Sequence, residues 1–265
     1  MKDRNLLADA ASAIAVVILL GVCTTAAAET LLVDLFNDNS IDPAKWTTAT
    51  PFDTSSVVET SQRIELTNRG HLITALQFNP ADHPGGIKIV GQWSFAELPS
   101  DGAAGSMRVL TRCDGLPIEP SGEAGNGIDF GISFSHDGDS QPLDVGVRGT
   151  RLAIAGYSPT GRLTAKAATT YDFQIIDAGT NLFFTMTEVG MASNTASATA
   201  RVVSDTFDRD FVVFHNREKN DTAGHTARLD NVRITVVPEP ATLTLLVFGG
   251  LTATSLSRRR RRRRP

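Results

Sequence analysis

The feature that most constrains the fold is a strict alternation of apolar and polar or small residues in short segments. Ile128, Phe130, Ile132 and Phe134 follow this period of two, which is typical of a β-strand with one buried face. Tyr171, Phe173 and Ile175 repeat the pattern. Because a turn at 178–181 separates them from an equally alternating segment at 182–186, the two segments are predicted to form a hairpin.

A dozen or so short strands, separated by clusters of Gly, Asn, Asp and Pro, predict an all-β fold of two packed antiparallel sheets. The body of the chain contains no convincing amphipathic helix. Segment 192–200, rich in Ala, Ser and Thr, is predicted to be at most a soft edge strand or a loop. Other predicted strands are 31–36, 63–67, 71–76, 87–95, 107–111, 143–147, 152–157, 198–203, 211–214 and 232–236.

The beginning of the chain is predicted to be a cleaved signal peptide. Lys2 and Arg4 precede an apolar run at 13–22, and the small residues 26–28 offer a cleavage site before Glu29. The apolar run is shorter than the roughly 20 residues of a membrane span. The protein is therefore expected to be exported, with Cys113 as its one remaining cysteine and no internal disulfide.

The end of the chain has three parts. Val237, Pro238, Glu239 and Pro240 end the β-region, because proline cannot donate to a sheet. Segment 241–257 is apolar, and at roughly 17 residues it is at the short limit for a transmembrane helix. A block of basic residues follows and is expected to stay cytoplasmic as a membrane stop. This block is Arg258, Arg259, Arg260, Arg261, Arg262, Arg263 and Arg264.

In this order the three parts resemble a PEP-CTERM sorting domain. The resemblance implies recognition by an exosortase-type enzyme, a transient stay in the inner membrane, cleavage near Pro-Glu-Pro, and delivery to the cell surface or extracellular matrix. The predicted organisation is thus a signal peptide at 1–28, a β-sandwich domain at 29–236 and a sorting signal at 237–265, so that a signal helix and a C-terminal transmembrane helix flank the sandwich.

The exported body is acidic. The two ends hold nine of the 25 basic residues and three of the 29 acidic ones, which leaves 16 basic and 26 acidic residues on the body and a net charge of -10. Such a surface repels the phosphates of nucleic acids, so a nucleic-acid partner is not expected.

The body resembles the concanavalin A-like lectin/glucanase (laminin-G-like) jelly rolls. The resemblance rests on an acidic and aromatic stretch from Asp34 to Trp46, the hairpin at 171–186 and the closing segment 228–234. It implies that the first and last strands lie together. An immunoglobulin-like or other sandwich is the alternative.

The sequence assigns no catalytic residue. Glycoside hydrolases of this fold resemble one another in a Glu-x-Asp-x-x-Glu strand, which is absent here, and no serine-nucleophile or histidine metal motif occurs. Carboxylates that are distant in sequence can still form the pair that such an enzyme needs.

Two acidic groups are candidate calcium sites, because calcium prefers several oxygen ligands from one loop or cluster. The first is Asp137, Asp139 and Asp144, for which a polar turn between strands is the alternative. The second is Asp34, Asp38, Asp230 and Asn231, if the first and last strands pair.

The leading interpretation is a non-catalytic protein of the cell surface or extracellular matrix. The second is a lectin-like module that binds glycan, including extracellular polysaccharide, with or without calcium. The third is a glycoside hydrolase with an unrecognised site.

Overall fold

The computed structural model of the protein describes residues 28–96, 106–115, 125–134, 141–149, 154–161, 163–204, 209–217 and 226–238. Glu29–Val237 form one compact unit. No helix in these residues is long and apolar enough to cross a membrane. Residues 1–27 of the predicted signal peptide lie outside the described residues. So does the tail from Glu239 onward, including the arginine block.

The described residues contain one short 3-10 helix, Pro80–Asp82, and sixteen β-strands, which confirms the all-β prediction. The strands are β1 Thr30–Asp34, β2 Trp46–Ala49, β3 Ser56–Thr60, β4 Arg63–Thr67, β5 His71–Thr74, β6 Ile87–Phe95, β7 Ser106–Cys113, β8 Ile128–Phe134, β9 Gln141–Gly149, β10 Ile154–Gly161, β11 Leu163–Ala165, β12 Thr170–Asp177, β13 Asn181–Glu188, β14 Met191–Val202, β15 Phe211–Arg217 and β16 Thr226–Val236.

The strands form two antiparallel sheets. The larger sheet has the order β10-β14-β13-β12-β6-β16-β4-β3, with β1 also paired to β16, and the smaller sheet has the order β11-β9-β8-β7-β15-β5-β2. The predicted hairpin is β12 and β13, and the predicted pairing of the first and last strands is β1 with β16.

The two sheets pack through one apolar core. Alternate residues of β6, β12 and β13 are buried, as the period of two requires. Phe173 and Phe184 of the larger sheet contact Phe214 and Phe130 of the smaller sheet, with ring centroids 6.3 and 6.2 Å apart. The opposite face of the larger sheet is its outer face, to which the polar residues of the same strands point.

Strand β14 is the main departure from the predicted strands. It spans twelve residues and pairs with β13 on one side and β10 on the other, so it is not an edge strand. Its inward residues Ala196, Ala198 and Ala200 are buried. Their side chains are too small to produce a clear apolar alternation in the sequence.

One edge of the larger sheet is β10, whose residues from Ala155 to Gly161 are exposed. Its register with β14 shifts between Ala155 and Ser158, and Pro159 lies opposite Ala198.

A buried ion pair joins the two sheets. Arg112 has a positive φ of 50° at a register shift between β7 and β15, which turns its side chain toward the larger sheet. Its guanidinium donates two hydrogen bonds to Asp177, at 2.6 and 3.0 Å, and one to the carbonyl of Gly179. Thr111 donates a further bond to Asp177, so the buried carboxylate is well satisfied.

A second polar link joins the sheets at β1. Trp46 of β2 is buried, and its indole Nε1 donates to Oδ2 of Asp34 at 2.8 Å. The Asp34 carboxylate also accepts from the backbone of Phe36 and from the ammonium of Lys45. The acidic and aromatic stretch seen in the sequence is therefore a structural element, in which Asp34 orients a core tryptophan.

The smaller sheet also buries part of its second face. Ile73, Leu110, Cys113 and Val213 form a small cluster there, and burial raises the pKa of the Cys113 thiol to about 12. The imidazole rings of His71 and His215 stack, with centroids 4.9 Å apart. Burial lowers the pKa of His71 to about 4.

We predict that Arg112→Met destabilises the protein by about 3–5 kcal/mol, because it leaves the Asp177 carboxylate buried without its cation. Urea unfolding measures the loss. The matched control is Arg228→Met, whose partner Glu65 is partly exposed, and it should cost about 1 kcal/mol or less. Equal losses for the two variants would contradict the role given to Arg112.

We predict that the free energy of unfolding falls as the pH is lowered from 6.5 to 4. The folded protein keeps His71 neutral in this interval while the unfolded chain takes up a proton, which costs about 3 kcal/mol in total. His71→Phe should flatten this dependence, whereas His83→Gln, at a partly exposed histidine, should leave it unchanged. An unaltered slope in His71→Phe would exclude His71 as its source.

Candidate functional site

The outer face of the larger sheet carries a polar groove at its centre. The groove encloses about 480 Å³, which is within the range of small-molecule sites. Four adjacent strands, β13, β12, β6 and β16, contribute to it. It is lined by Val90, Gly91, Gln92, Asp172, Phe173, Gln174, Thr185, Thr187 and Asn231.

Strand alternation explains why the groove is polar. The inward neighbours of its side chains, such as Trp93 and Ile175, fill the core, and the outward positions hold Gln, Asp and Thr together with the apolar Val90. Gly91 and Phe173 contribute their backbone, because the Phe173 ring is buried on the inner face. A Cβ at Gly91 would lie 2.6 Å from Cζ of that ring, so glycine permits the packing beneath the groove.

A β-bulge in β16 brings Asn231 into the groove. The register between β16 and β6 shifts between Asp230 and Arg233, so that two consecutive residues, Asp230 and Asn231, both lie on the outer face. Asn231 has a φ of 54°, in the left-handed region that asparagine tolerates better than most residues. The bulge therefore adds a second amide beside that of Gln92.

Three side chains in the groove form a continuous chain of hydrogen bonds. Nδ2 of Asn231 donates to Oε1 of Gln92 at 2.9 Å, and Nε2 of Gln92 donates to Oδ1 of Asp172 at 2.9 Å. Gln92 is thereby held by both ends of its amide. The chain fixes the positions of an amide oxygen, an amide N–H and a carboxylate oxygen that face solvent.

The other outward residues extend this polar surface. Thr187 lies opposite Asp172 and Thr185 lies opposite Gln174, and the hydroxyls of Thr187 and Thr195 are 2.7 Å apart. Of the residues that line the groove, Asp172 is the one charged side chain. The arrangement can donate and accept several hydrogen bonds to an uncharged, hydroxyl-rich molecule.

The structure does not bring Asp34 and Asp230 together. Asp34 pairs with Val232, whose side chain is buried, whereas Asp230 lies on the outer face. The bulge thus places the two carboxylates on opposite sides of the sheet, and Asp34 is already bound to Trp46 and Lys45. Within the described ranges, no group of three or more His, Cys, Asp or Glu residues is placed to hold a metal ion.

The other predicted site residues lie mostly outside the described part of the chain. Asp137 and Asp139 belong to 135–140, which connects the paired strands β8 and β9. Asp144 is on β9 opposite Ser133, but its side chain is outside that part too. Val237 and Pro238 directly follow β16, and the backbone N–H of Val237 donates to the carbonyl of Gly86.

No protein-family model matches the chain, and no curated protein matches it. The chain does match solved structures. It is similar to the CBM2 module of the evolved Dit of Lactobacillus casei BL23 phage J-1, with 11% identity over 80% of this chain and 97% of that chain and a TM-score of 0.53. It is also similar to peanut lectin with a 9mer peptide, with 14% identity over 79% and 98% of the chains and a TM-score of 0.50.

A third similar structure is the exoplasmic/lumenal domain of VIP36 in its Ca2+/Man3GlcNAc-bound form. It has 10% identity over 79% of this chain and 92% of that chain, with a TM-score of 0.50. At these identities the likeness shows the fold alone, which is the two-sheet jelly-roll sandwich that the sequence predicts.

Proposed function

We propose that the sandwich is a lectin-like module that binds glycan in the groove on the outer face of the larger sheet. The observation that carries the proposal is the hydrogen-bonded chain Asn231, Gln92 and Asp172. Sugars offer neighbouring hydroxyls that both donate and accept, and a site with donors and acceptors already fixed loses little entropy on binding. The fold shared with lectins supports the same proposal.

We also propose that the groove binds without cleavage. Its lining contains one carboxylate, Asp172. A retaining glycosidase needs two carboxyls about 5–5.5 Å apart. The next carboxylate in the same row, Asp230, is two strands away, which at the usual strand spacing is about 10 Å.

One observation favours an inverting hydrolase as the second candidate. An inverting pair is separated by about 6.5–9.5 Å and includes a carboxyl with a raised pKa. Asp230 and Asp172 flank Gln92 on opposite sides, close to the upper limit of that distance. Burial raises the pKa of Asp230.

Calcium at Asp137, Asp139 and Asp144 stays a prediction from the sequence. The VIP36 domain is a calcium-bound form, but the groove proposed here has a single carboxylate and does not require the ion. Removal of calcium by a chelator distinguishes the two sites, because glycan binding in the groove does not depend on the ion.

For the body as a whole we propose export and retention at the cell surface or in the extracellular matrix. The support is the sequence of the two ends, with a PEP-CTERM-like tail read by an exosortase-type enzyme. Surface display places a glycan-binding groove where extracellular polysaccharide is found.

We predict that the full-length protein binds neutral glycans on a glycan array and that Gln92→Ala weakens this binding at least tenfold. The substitution removes the residue that holds both Asn231 and Asp172 in place, and tenfold corresponds to about 1.4 kcal/mol. Asp53→Asn, an exposed change outside the groove, is the control. Binding that survives Gln92→Ala would exclude the groove as the site.

The same array with EDTA tests calcium, and we expect binding to be retained. Loss on chelation would move the site to Asp137, Asp139 and Asp144. Release of reducing ends from any array-positive polysaccharide, abolished by Asp172→Asn or Asp230→Asn, would replace the binding proposal with hydrolysis.

We predict that replacing Pro238, Glu239 and Pro240 by alanine leaves the protein in the inner membrane, because the sorting enzyme no longer recognises the tail. Cell fractionation and surface labelling measure this. The control is Pro84→Ala, at an exposed proline in the body. Normal surface delivery of the triple variant would contradict the sorting proposal.

A further inference from the structure

An exposed aromatic ring lies beside the groove. Phe183 of β13 is 44% exposed, while the other phenylalanines whose burial the structure describes are buried or half-buried. Its neighbours in the chain, Leu182 and Phe184, have almost no exposure. The core therefore does not require an aromatic residue at 183.

The position of Phe183 relates it to the groove. Phe183, Thr185 and Thr187 are alternate residues of β13 and point to the same face, about 6.7 Å apart along the strand. Ile176 of β12 lies directly opposite Phe183, and Gln174 lies opposite Thr185. Phe183 and Ile176 thus form an apolar platform that begins where the polar lining of the groove ends.

A polar groove that continues into an aromatic platform matches the chemistry of a saccharide chain. Each sugar unit has hydroxyls at its rim and C–H groups on its ring faces, so one unit fits the hydrogen-bonding groups and the next packs on an aromatic face. Among the residues described, the groove lining itself has one carboxylate and no cation, while Lys88 and Arg233 lie beside it on the same face, opposite Ile176 and Val90. A neutral chain needs no charged partner at the hydrogen-bonding groups of the groove, whereas a polyanionic chain would meet the carboxylate of Asp172 there.

We propose that the site binds a linear neutral polysaccharide, an inference that rests on the glycan-binding function proposed above. Phe183 and Ile176 form a second subsite, which holds the sugar unit next to the one in the groove. The module then recognises internal stretches of a chain of at least two units. A single terminal sugar does not reach the platform.

The test uses the full-length protein with cellohexaose, laminarihexaose and mannohexaose, each paired with its monosaccharide, in titration calorimetry. We expect Phe183→Ala to weaken binding of the preferred hexasaccharide at least fivefold and to leave monosaccharide binding unchanged. Phe183→Trp should restore it, because the indole offers an equal or larger face. Val58→Ala is the matched control, since Val58 is 49% exposed on the same face at the far edge of the sheet.

The outcomes separate the two proposals. If Gln92→Ala weakens binding of the hexasaccharide and Phe183→Ala does not, the second subsite is wrong and the groove stands. If the array shows glycan binding but none of these hexasaccharides binds, the linear neutral class is wrong and the groove stands. If the array shows no binding either, both proposals fail. Tighter binding of oligoguluronate than of the neutral probes would overturn the neutral class. If the wild type sediments as a dimer and Phe183→Ala sediments as a monomer, the platform is occupied by a second copy of the chain and not by a sugar.

Discussion

The arrangement of the sandwich depends on how the buried carboxylate of Asp177 is satisfied. It ends β12 in the larger sheet and receives donors from Thr111 and Arg112 of the smaller sheet. Apolar contacts between sheets have little directional preference, whereas a bidentate ion pair permits only one alignment. The pair therefore fixes the position of β12 relative to the smaller sheet, and β12 carries Asp172 and Gln174 into the groove.

Core and groove are two faces of the same strands. Along β12, buried Phe173 and Ile175 alternate with outward Asp172 and Gln174. A slip of one residue in the pairing of β12 would exchange the two sets. Packing of the apolar core therefore sets the register of β12. That register determines which side chains of the strand line the groove on the opposite face.

The sequence predicts the fold better than the site. The hairpin and the two antiparallel sheets follow from strong alternation, and the pairing of the first and last strands follows from the resemblance to the jelly rolls. Strand β14 lacks a clear signal because its inward residues are small alanines. The groove is not predictable in this way, since Asp172, Gln92 and Asn231 meet only because β6 lies between β12 and β16. The bulge at Asn231 has no clear sequence signal. It also places Asp230 and Asp34 on opposite faces of the sheet, although the pairing of their strands suggested that the two carboxylates lie together.

The edge strand β10 has a consequence for contacts between copies of the protein. Open strand edges present rows of N–H and C=O groups to which another chain can add. Pro159 has no N–H, and the register shift between Ala155 and Ser158 interrupts the straight edge. Neighbouring molecules can therefore contact one another at this edge without forming a continuous β-sheet, and the outer face of each stays accessible.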